Sequence, residues 1–111
     1  MSWSIITFET SRGEKPLNEF IKRQNSSARS KIIHKIRLLK QYGNKLGMPH
    51  ARMLRGELYE LRIRGKEELR IFYCFEKQTV CLLHAFKKQT QGTPQKELNL
   101  ALNRIKSLTK I

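Results

Sequence analysis

Three basic residues in the second half of the chain have the types and spacing needed to bind a phosphate group. Arg62, Arg70 and Lys87 fall on three successive segments that are rich in β-branched, aromatic and aliphatic residues. Guanidinium forks bind phosphate oxygens bidentately, and cations stabilise the charge that develops when a ribose 2′-hydroxyl attacks the adjacent phosphate. A cluster of these side chains could therefore support metal-free cleavage of RNA.

Two further residues complete the predicted catalytic group. Glu60 is the only carboxylate that strand alternation places beside the arginines, which makes it the first candidate for the base that accepts the 2′-hydroxyl proton. Lys87 or Lys88 could donate a proton to the leaving 5′-oxygen if nearby cations lower its pKa. We therefore predict catalytic roles for Glu60, Arg62, Arg70, Lys87 and Lys88.

The acidic residues argue against a nuclease that depends on divalent metals. All nine are glutamates, and they are scattered along the chain. Two-metal nucleases need clustered carboxylates to hold their ions. Cys74 and Cys81 are too few for a metal site or a disulfide framework, and we expect both to be reduced thiols in the core. We predict no metal and no cofactor.

The charge balance indicates a polyanionic partner. The 23 Lys and Arg residues outnumber the nine acids and give a formal net charge of +14. Self-repulsion of this size opposes folding, so RNA, DNA, a ribosome surface, an acidic protein or an anionic membrane would explain it; a basic protein that is merely soluble is the alternative. A second set of basic residues is predicted to position RNA phosphates: Lys45, His50, Arg52 and Arg55 in a loop over 44–56, and Arg64 and Lys66 in the next turn.

The pattern along the chain predicts one α+β domain spanning residues 1–111. Segments 3–8, 57–63, 69–75 and 79–86 have the composition of strands, whereas apolar residues recur at helical spacing in three other segments. Pro16 begins the first helix, Asn25-Ser26-Ser27 separates it from a second that ends at Gly43, and Thr93-Pro94 opens the last. The predicted order is β-α-α-β-β-β-α, an antiparallel meander with its helices packed on one face of the sheet and the other face free.

Strand alternation then sorts the side chains between the two faces. If Gly65-Lys66-Glu67 is a three-residue loop, Arg62 lies opposite Arg70 and Glu60 opposite Phe72. If Lys77-Gln78 is a two-residue turn, Cys74 lies opposite Cys81 and Arg70 opposite Ala85, so Lys87 joins the arginines. The other face would carry the core, formed by Tyr59, Leu61, Ile63, Ile71, Tyr73, Phe75, Val80, Leu82 and Phe86.

Two alternatives to this basic working face stay open. A slip of one residue at the second turn, which has no Gly or Asn to specify it, would bring His84 onto the working face and move Lys87 off it. The face could also be a solvated surface with its long basic side chains splayed apart.

A longer run of residues resembles a known family. Glu57–Ile63, Leu69–Tyr73, Leu82–Thr90 and the helix start at Thr93-Pro94 are similar in order and spacing to the phage-type HigB branch of the RelE toxin superfamily. The resemblance implies a RelE-like fold and the toxin of a type II toxin-antitoxin system, an mRNA interferase that cleaves mRNA on the ribosome and inhibits translation.

The same resemblance implies partners and site residues. The partner would be a cognate helix-turn-helix antitoxin (HigA-like), and the family's basic residues would fall by position on Arg62, Arg70 and Lys87-Lys88. Some members use a C-terminal tyrosine or histidine, and this chain has neither after His84.

Other functions remain possible from the residues alone. A non-catalytic basic module that binds ribosomal RNA or an acidic protein partner would need the same charge. A DNA-binding regulator is less favoured, because no helix-turn-helix with a polar recognition helix is evident. The N-terminus lacks the basic segment of a signal peptide and no apolar run is long enough to span a membrane, so we predict a cytoplasmic protein without a membrane partner.

Overall fold

The computed structural model describes residues 2–89, 92 and 94–109. These residues form an α+β fold with a five-stranded sheet, which confirms the predicted fold class. A short 3₁₀ turn, Gly43–Lys45, follows the second helix. In chain order the elements are β1 (Ser4–Thr7), α1 (Pro16–Lys22), α2 (Ser26–Tyr42), β2 (Ala51–Arg55), β3 (Leu58–Ile63), β4 (Leu69–Glu76), β5 (Thr79–Lys87) and α3 (Gln95–Thr109).

The sheet has one more strand than the sequence predicted. Ala51–Arg55, expected to be part of a loop, pairs antiparallel with β3 as the edge strand β2. Arg52 and Met53 are both exposed and a bulge follows Met53, so this strand lacks the alternation that would have identified it. Gly56, at φ +55°, closes the turn into β3. The strand order is β1-β5-β4-β3-β2, with β1 parallel to β5 and the other pairs antiparallel.

The predicted boundaries of α2 are confirmed. The Asn25 side chain accepts a hydrogen bond of 2.9 Å from the Ala28 backbone N–H and caps the start of the helix. Gly43 ends it with φ +54°, a conformation that an L-residue with a side chain rarely adopts. The indole of Trp3 packs directly against this glycine and leaves no space for a Cβ atom.

The expectation that all helices cover one face of the sheet is wrong. Helices α1 and α2 pack on one face, against residues such as Ile71 and Tyr73, whereas α3 packs on the other, against Phe72 and Cys74. The reason is visible in β4, whose residues are apolar at most successive positions and buried from Leu69 to Cys74. A strand of this kind needs cover on both sides.

A bulge in the β4–β5 ladder changes the predicted register. Cys74 pairs with Cys81 and Tyr73 with Leu82, but Phe72 pairs with His84, so Leu83 is the extra residue. Beyond the bulge, Phe86 rather than Ala85 lies opposite Arg70, and Lys87 lies opposite Leu69.

The bulge has the effect of the one-residue register slip that the sequence had left open. His84 moves to the face of the arginines and Lys87 leaves it. Phe86, predicted on the core face opposite the arginines, belongs to the core under α3. The pairing of Arg62 with Arg70 and of Glu60 with Phe72 is as predicted.

Candidate nucleic-acid interface

The face of the sheet that carries α3 is only partly covered. Helix α3 packs on β5 and the second half of β4. Next to it, β2, β3 and the start of β4 present a group of charged side chains that we call the arginine cluster: Arg52, Glu60, Arg62, Glu68 and Arg70.

Glu60 is the buried centre of this cluster. Its side chain is 1% exposed, and its two oxygens face Arg52 Nε at 3.0 Å and Arg70 Nε at 3.4 Å. The second contact has ion-pair distance without hydrogen-bond alignment. Because both oxygens face guanidinium groups and solvent is excluded, Glu60 holds the two arginines in place.

Arg70 is also buried and neutralised. Its Nη1 donates to Glu68 Oε2 at 2.7 Å and to the Leu69 carbonyl at 3.2 Å. The hydrogen bond and charge of Arg70 hold the pKa of Glu68 below its usual range, despite the opposing effect of burial. Arg70 therefore has two carboxylate neighbours, Glu60 and Glu68, inside the protein.

Arg62 has no such neighbour. It is half-buried, its Nη1 donates to Met48 Sδ at 3.7 Å, and its buried Nε has no hydrogen-bond partner among the described residues. Within the described part of the chain, no carboxylate lies at ion-pair distance from it. Burial and then the charges of Arg64 and Arg70 lower its pKa, against the raising effect of Glu60, so the charges around this guanidinium group are mainly positive. An anion bound here would relieve that imbalance.

The two lysines at the end of β5 separate. Lys87 forms an ion pair with Glu67 and lies off the face of the arginine cluster. The Lys88 backbone N–H donates to the Glu68 carbonyl at 2.8 Å, which continues the β4–β5 ladder by one pair. Alternation therefore turns the half-buried Lys88 toward the side of Glu68, Arg70 and Phe86.

His84 lies on the α3 side, farther along β5. Its Nε2 is 2.5 Å from Glu97 Oε1 in the first turn of α3, and its ring stacks on Phe86. Burial lowers its pKa, although Glu97 acts in the opposite direction. This contact fastens α3 to the sheet, and sequence alternation alone could not reveal it because the bulge sets the position of His84.

The residues predicted to position RNA phosphates have different surroundings. Arg52 belongs to the arginine cluster, whereas Lys45 and Arg55 are exposed at the ends of the 3₁₀ turn and of β2. His50 Nδ1 lies 2.8 Å from Lys35 Nζ of α2. Arg64 and Lys66 are exposed in the β3–β4 turn, where Arg64 pairs with Glu68 at 3.7 Å.

The sequence did not predict which part of α2 belongs to this basic region, because helix periodicity carries no information about tertiary packing. Lys35 is close enough to Arg64 that the arginine, after burial, helps to lower its pKa. Burial and the charges of Lys35 and His34 lower the pKa of His50. Lys35 therefore extends the basic surface from β3 onto α2.

The described residues contain neither a metal-binding cluster nor a membrane-spanning helix. Among the described residues, no three His, Cys, Asp or Glu side chains come together in a way that could hold a metal ion. In the same part of the chain, none of the helices combines the length and the apolar character needed to cross a membrane.

Comparison with known families gives one match. Residues 19–106 match the family described as "Phage derived protein Gp49-like (DUF891)". The match begins within α1 and reaches into the last turn of α3, so it includes β2 to β5 and the whole arginine cluster. A search of curated proteins finds no match.

Proposed function

The chain belongs to the Gp49-like family of phage-derived proteins, within the RelE/HigB-like toxin superfamily, whose members are generally ribonucleases, and we propose that it is the mRNA-cleaving toxin of a type II toxin-antitoxin system. The finer assignment, to the HigB branch and to cleavage of mRNA on the ribosome without a metal ion, is part of this proposal. We also propose that it acts in the cytoplasm, where translating ribosomes are found.

The observation that carries the proposal is the environment of Arg62. A half-buried guanidinium group without a carboxylate partner in the described part of the chain is costly unless an anion binds to it. The neighbouring arginines keep the local charge positive even though Glu60 and Glu68 neutralise part of it. This environment supports binding of a phosphodiester at Arg62.

In the proposed reaction, Arg62 holds the scissile phosphate through two N–H donors. The 2′-oxygen attacks phosphorus, its proton leaves to solvent or to a neighbouring base, and the bond to the 5′-oxygen breaks. A cyclic 2′,3′-phosphate and a free 5′-hydroxyl result. Arg62 and Arg52 stabilise the negative charge of the phosphorane, and a fixed donor of this kind contributes about 100- to 1,000-fold in other enzymes. Lys88 donates the proton that the departing 5′-oxygen takes up.

Glu60 and Arg70 have a supporting task in this mechanism. Both are almost fully buried and engaged with each other. We therefore propose that Glu60 is a positioning residue rather than the base expected from the sequence. It holds Arg52 in place directly. It also holds Arg70, which pairs with Glu68 beside Arg62.

A cleavage assay with purified protein tests the proposal. The wild-type chain should cut mRNA bound to ribosomes. On a minimal RNA substrate without ribosomes, excess EDTA should not abolish the cleavage that is seen. Arg62→Ala should lower the rate at least 100-fold. Arg12→Ala, which removes an exposed arginine in the loop after β1, is the matched control and should cleave as wild type. An Arg62→Ala protein with normal activity would overturn the proposed site.

A non-catalytic RNA-binding module is the second candidate. The observation in its favour is that Glu60, the carboxylate nearest to Arg62, is occupied by two arginines, so no free carboxylate faces the phosphate site in the described residues. Induction of the gene in growing cells separates the two functions. A ribonuclease toxin stops growth and depletes messages, and co-expression of the cognate antitoxin restores growth; a binding module does neither.

A further inference from the structure

A second basic site lies around the end of β3, on the side of α2. A cavity of about 560 Å³ opens between the start of α2 and the β3–β4 turn. Three cations line it: Lys31 from α2, and Arg64 and Lys66 from the turn. The sequence predicted phosphate binding for Arg64 and Lys66, and α2 supplies the opposite wall of the cavity.

The cations around this cavity outnumber the acidic residues. Lys31 Nζ lies so close to the Gly65 backbone that a Cβ at position 65 would be 2.6 Å from it. In the described part of the chain, neither Lys31 nor Lys66 has an acidic partner. Lys35, one helical turn after Lys31, is near enough to Arg64 for the two like charges to disfavour each other. Cations brought together in this way favour an anionic ligand.

The acidic residues around the cavity are already occupied. Glu67 is the one carboxylate on its described wall, and it pairs with Lys87. Arg64 keeps only an exposed contact of 3.7 Å with Glu68. The first turn of α2 contains no acidic residue, so it adds no negative charge to the cavity. The remaining charge of the wall is positive.

The cavity lies on the α2 side of the sheet and the arginine cluster on the α3 side, and the two are near each other at the end of β3. Arg62 and Arg64 are two residues apart and their Cα atoms are therefore about 7 Å apart in an extended strand. Arg64 contacts Glu68 of the cluster and lines the cavity, so it joins the two places. A single RNA strand bound at Arg62 could continue past Arg64 into the cavity.

We propose that the cavity formed by Lys31, Arg64 and Lys66 binds a backbone phosphate of the RNA strand, next to the phosphate held by Arg62. This inference rests on the proposed function for the nature of the ligand. It assigns a role to α2, whose Lys31 completes the pocket. The site recognises the phosphate group and does not read the base.

Fluorescence titrations with RNA test this site independently of cleavage. The probe is a labelled hexanucleotide whose 2′-hydroxyls are replaced by 2′-methoxy groups, so it cannot be cut. The double variant Lys31→Gln/Lys66→Gln should bind it about three- to ten-fold more weakly and should reduce the dependence of log Kd on log salt by roughly 0.7 per lost contact. Binding of a dinucleotide, which has one phosphate for Arg62, should not change.

The matched control keeps the same net charge. In Lys31→Gln/Lys40→Gln, one substitution lies on α2 outside the cavity. Lys40 follows Lys31 by nine residues, which is about 13.5 Å along the helix and on its opposite side. If the pocket is a site, this control loses one contact and the Lys31→Gln/Lys66→Gln protein loses two. Equal losses in the two variants would mean a diffuse charge effect and would overturn the proposal.

Two other outcomes identify a different ligand. Inorganic phosphate at millimolar concentration could displace the hexanucleotide from the wild type and the control but not from Lys31→Gln/Lys66→Gln. The site would then take free phosphate rather than the RNA backbone. If the pocket variant binds RNA normally but loses the antitoxin, the partner is an acidic protein surface; either result overturns the inference. Cleavage by the wild type is measured separately. A protein that does not cleave RNA can therefore still be tested for RNA binding at this cavity.

Discussion

Arg62 and Arg70 lie directly opposite each other in the β3–β4 ladder, yet among the residues that the structure describes only Arg70 has carboxylate partners. Like charges at opposed positions destabilise a sheet. Here Glu60 and Glu68 offset that repulsion on the Arg70 side, and in the proposed function Arg62 binds the phosphate. The two residues have the same side chain, but the proposed function gives them different tasks.

Replacing each arginine should separate these tasks. Arg70→Ala leaves the buried Glu60 without one of its partners, and the loss of a buried ion-pair partner costs about 3–5 kcal/mol. Arg62→Ala should change the free energy of unfolding by less than about 1 kcal/mol and remove RNA cleavage. Chemical denaturation monitored by circular dichroism, together with the cleavage assay, measures both effects.

A compensated variant serves as the control for this pair. In Glu60→Gln/Arg70→Met no buried charge of the pair remains, so stability should recover toward wild type. If Arg70→Ala were as stable as wild type, or Arg62→Ala as unstable as Arg70→Ala, the division of tasks between the two arginines would be wrong.

The pH dependence of stability should reflect His84. Burial lowers its pKa from the ordinary value of 6.5 in the folded protein, against the raising effect of Glu97 and with a smaller lowering effect of Arg104. The unfolded chain therefore binds a proton at a pH where the folded chain does not. The contribution of neutral His84 is complete above about pH 6.5 and is lost as the pH falls toward the folded pKa.

Denaturation at a series of pH values between about 7.5 and 5.5 measures this slope. The titrating and charged groups beside His84 are Glu97 and Arg104 of α3, and Phe72 and Phe86 complete its surroundings. His84→Gln should flatten the slope. The pKa of His50 is also lowered, so His50→Gln is the second variant; if it flattened the curve as much as His84→Gln, the slope could not be assigned to His84.

Much of the fold could be predicted because its signals are local. The cap at Asn25, the end of α2 at Gly43 and the pairing of Arg62 with Arg70 depend on residues near one another in the chain or on a short turn. The bulge at Leu83 could not be predicted in this way. It depends on how β5 fits between two cores, and it decides which of His84 and Lys87 faces the arginines.

The sequence predicted which residues form the candidate site better than it predicted their roles. Strand parity brought Glu60, Arg62 and Arg70 together correctly, but parity carries no information about burial. That Glu60 is enclosed by two guanidinium groups follows from β2, an edge strand without a clear sequence pattern, which supplies Arg52. The contribution of α2 to the basic surface likewise depends on tertiary packing.

Adding a single methyl group at Gly43 should lower the stability of the protein strongly. A Cβ there would lie 2.0 Å from Trp3 Cε2, and the positive φ of +54° is unfavourable for alanine. Gly43→Ala should lower the free energy of unfolding by about 2–4 kcal/mol, since steric overlap and backbone strain add. Gly47→Ala is the control, because nothing lies within 4 Å of its added Cβ. Thermal unfolding of both proteins measures the difference, and a stable Gly43→Ala protein would contradict the close packing of Trp3.

The two lysines at the end of β5 provide the sharpest test of the register. Because of the bulge, Lys88 turns toward the arginine cluster while Lys87 pairs with Glu67 on the other side. If Lys88 is the proton donor, Lys88→Gln should lower the cleavage rate about 100-fold or more, a typical contribution of a general acid. Lys87→Gln removes the same charge one residue away and should reduce the rate less than three-fold, as expected for an exposed ion pair of little energetic weight. Single-turnover cleavage of ribosome-bound mRNA at constant ionic strength measures both rates, and a larger loss in Lys87→Gln would support the unbulged register instead.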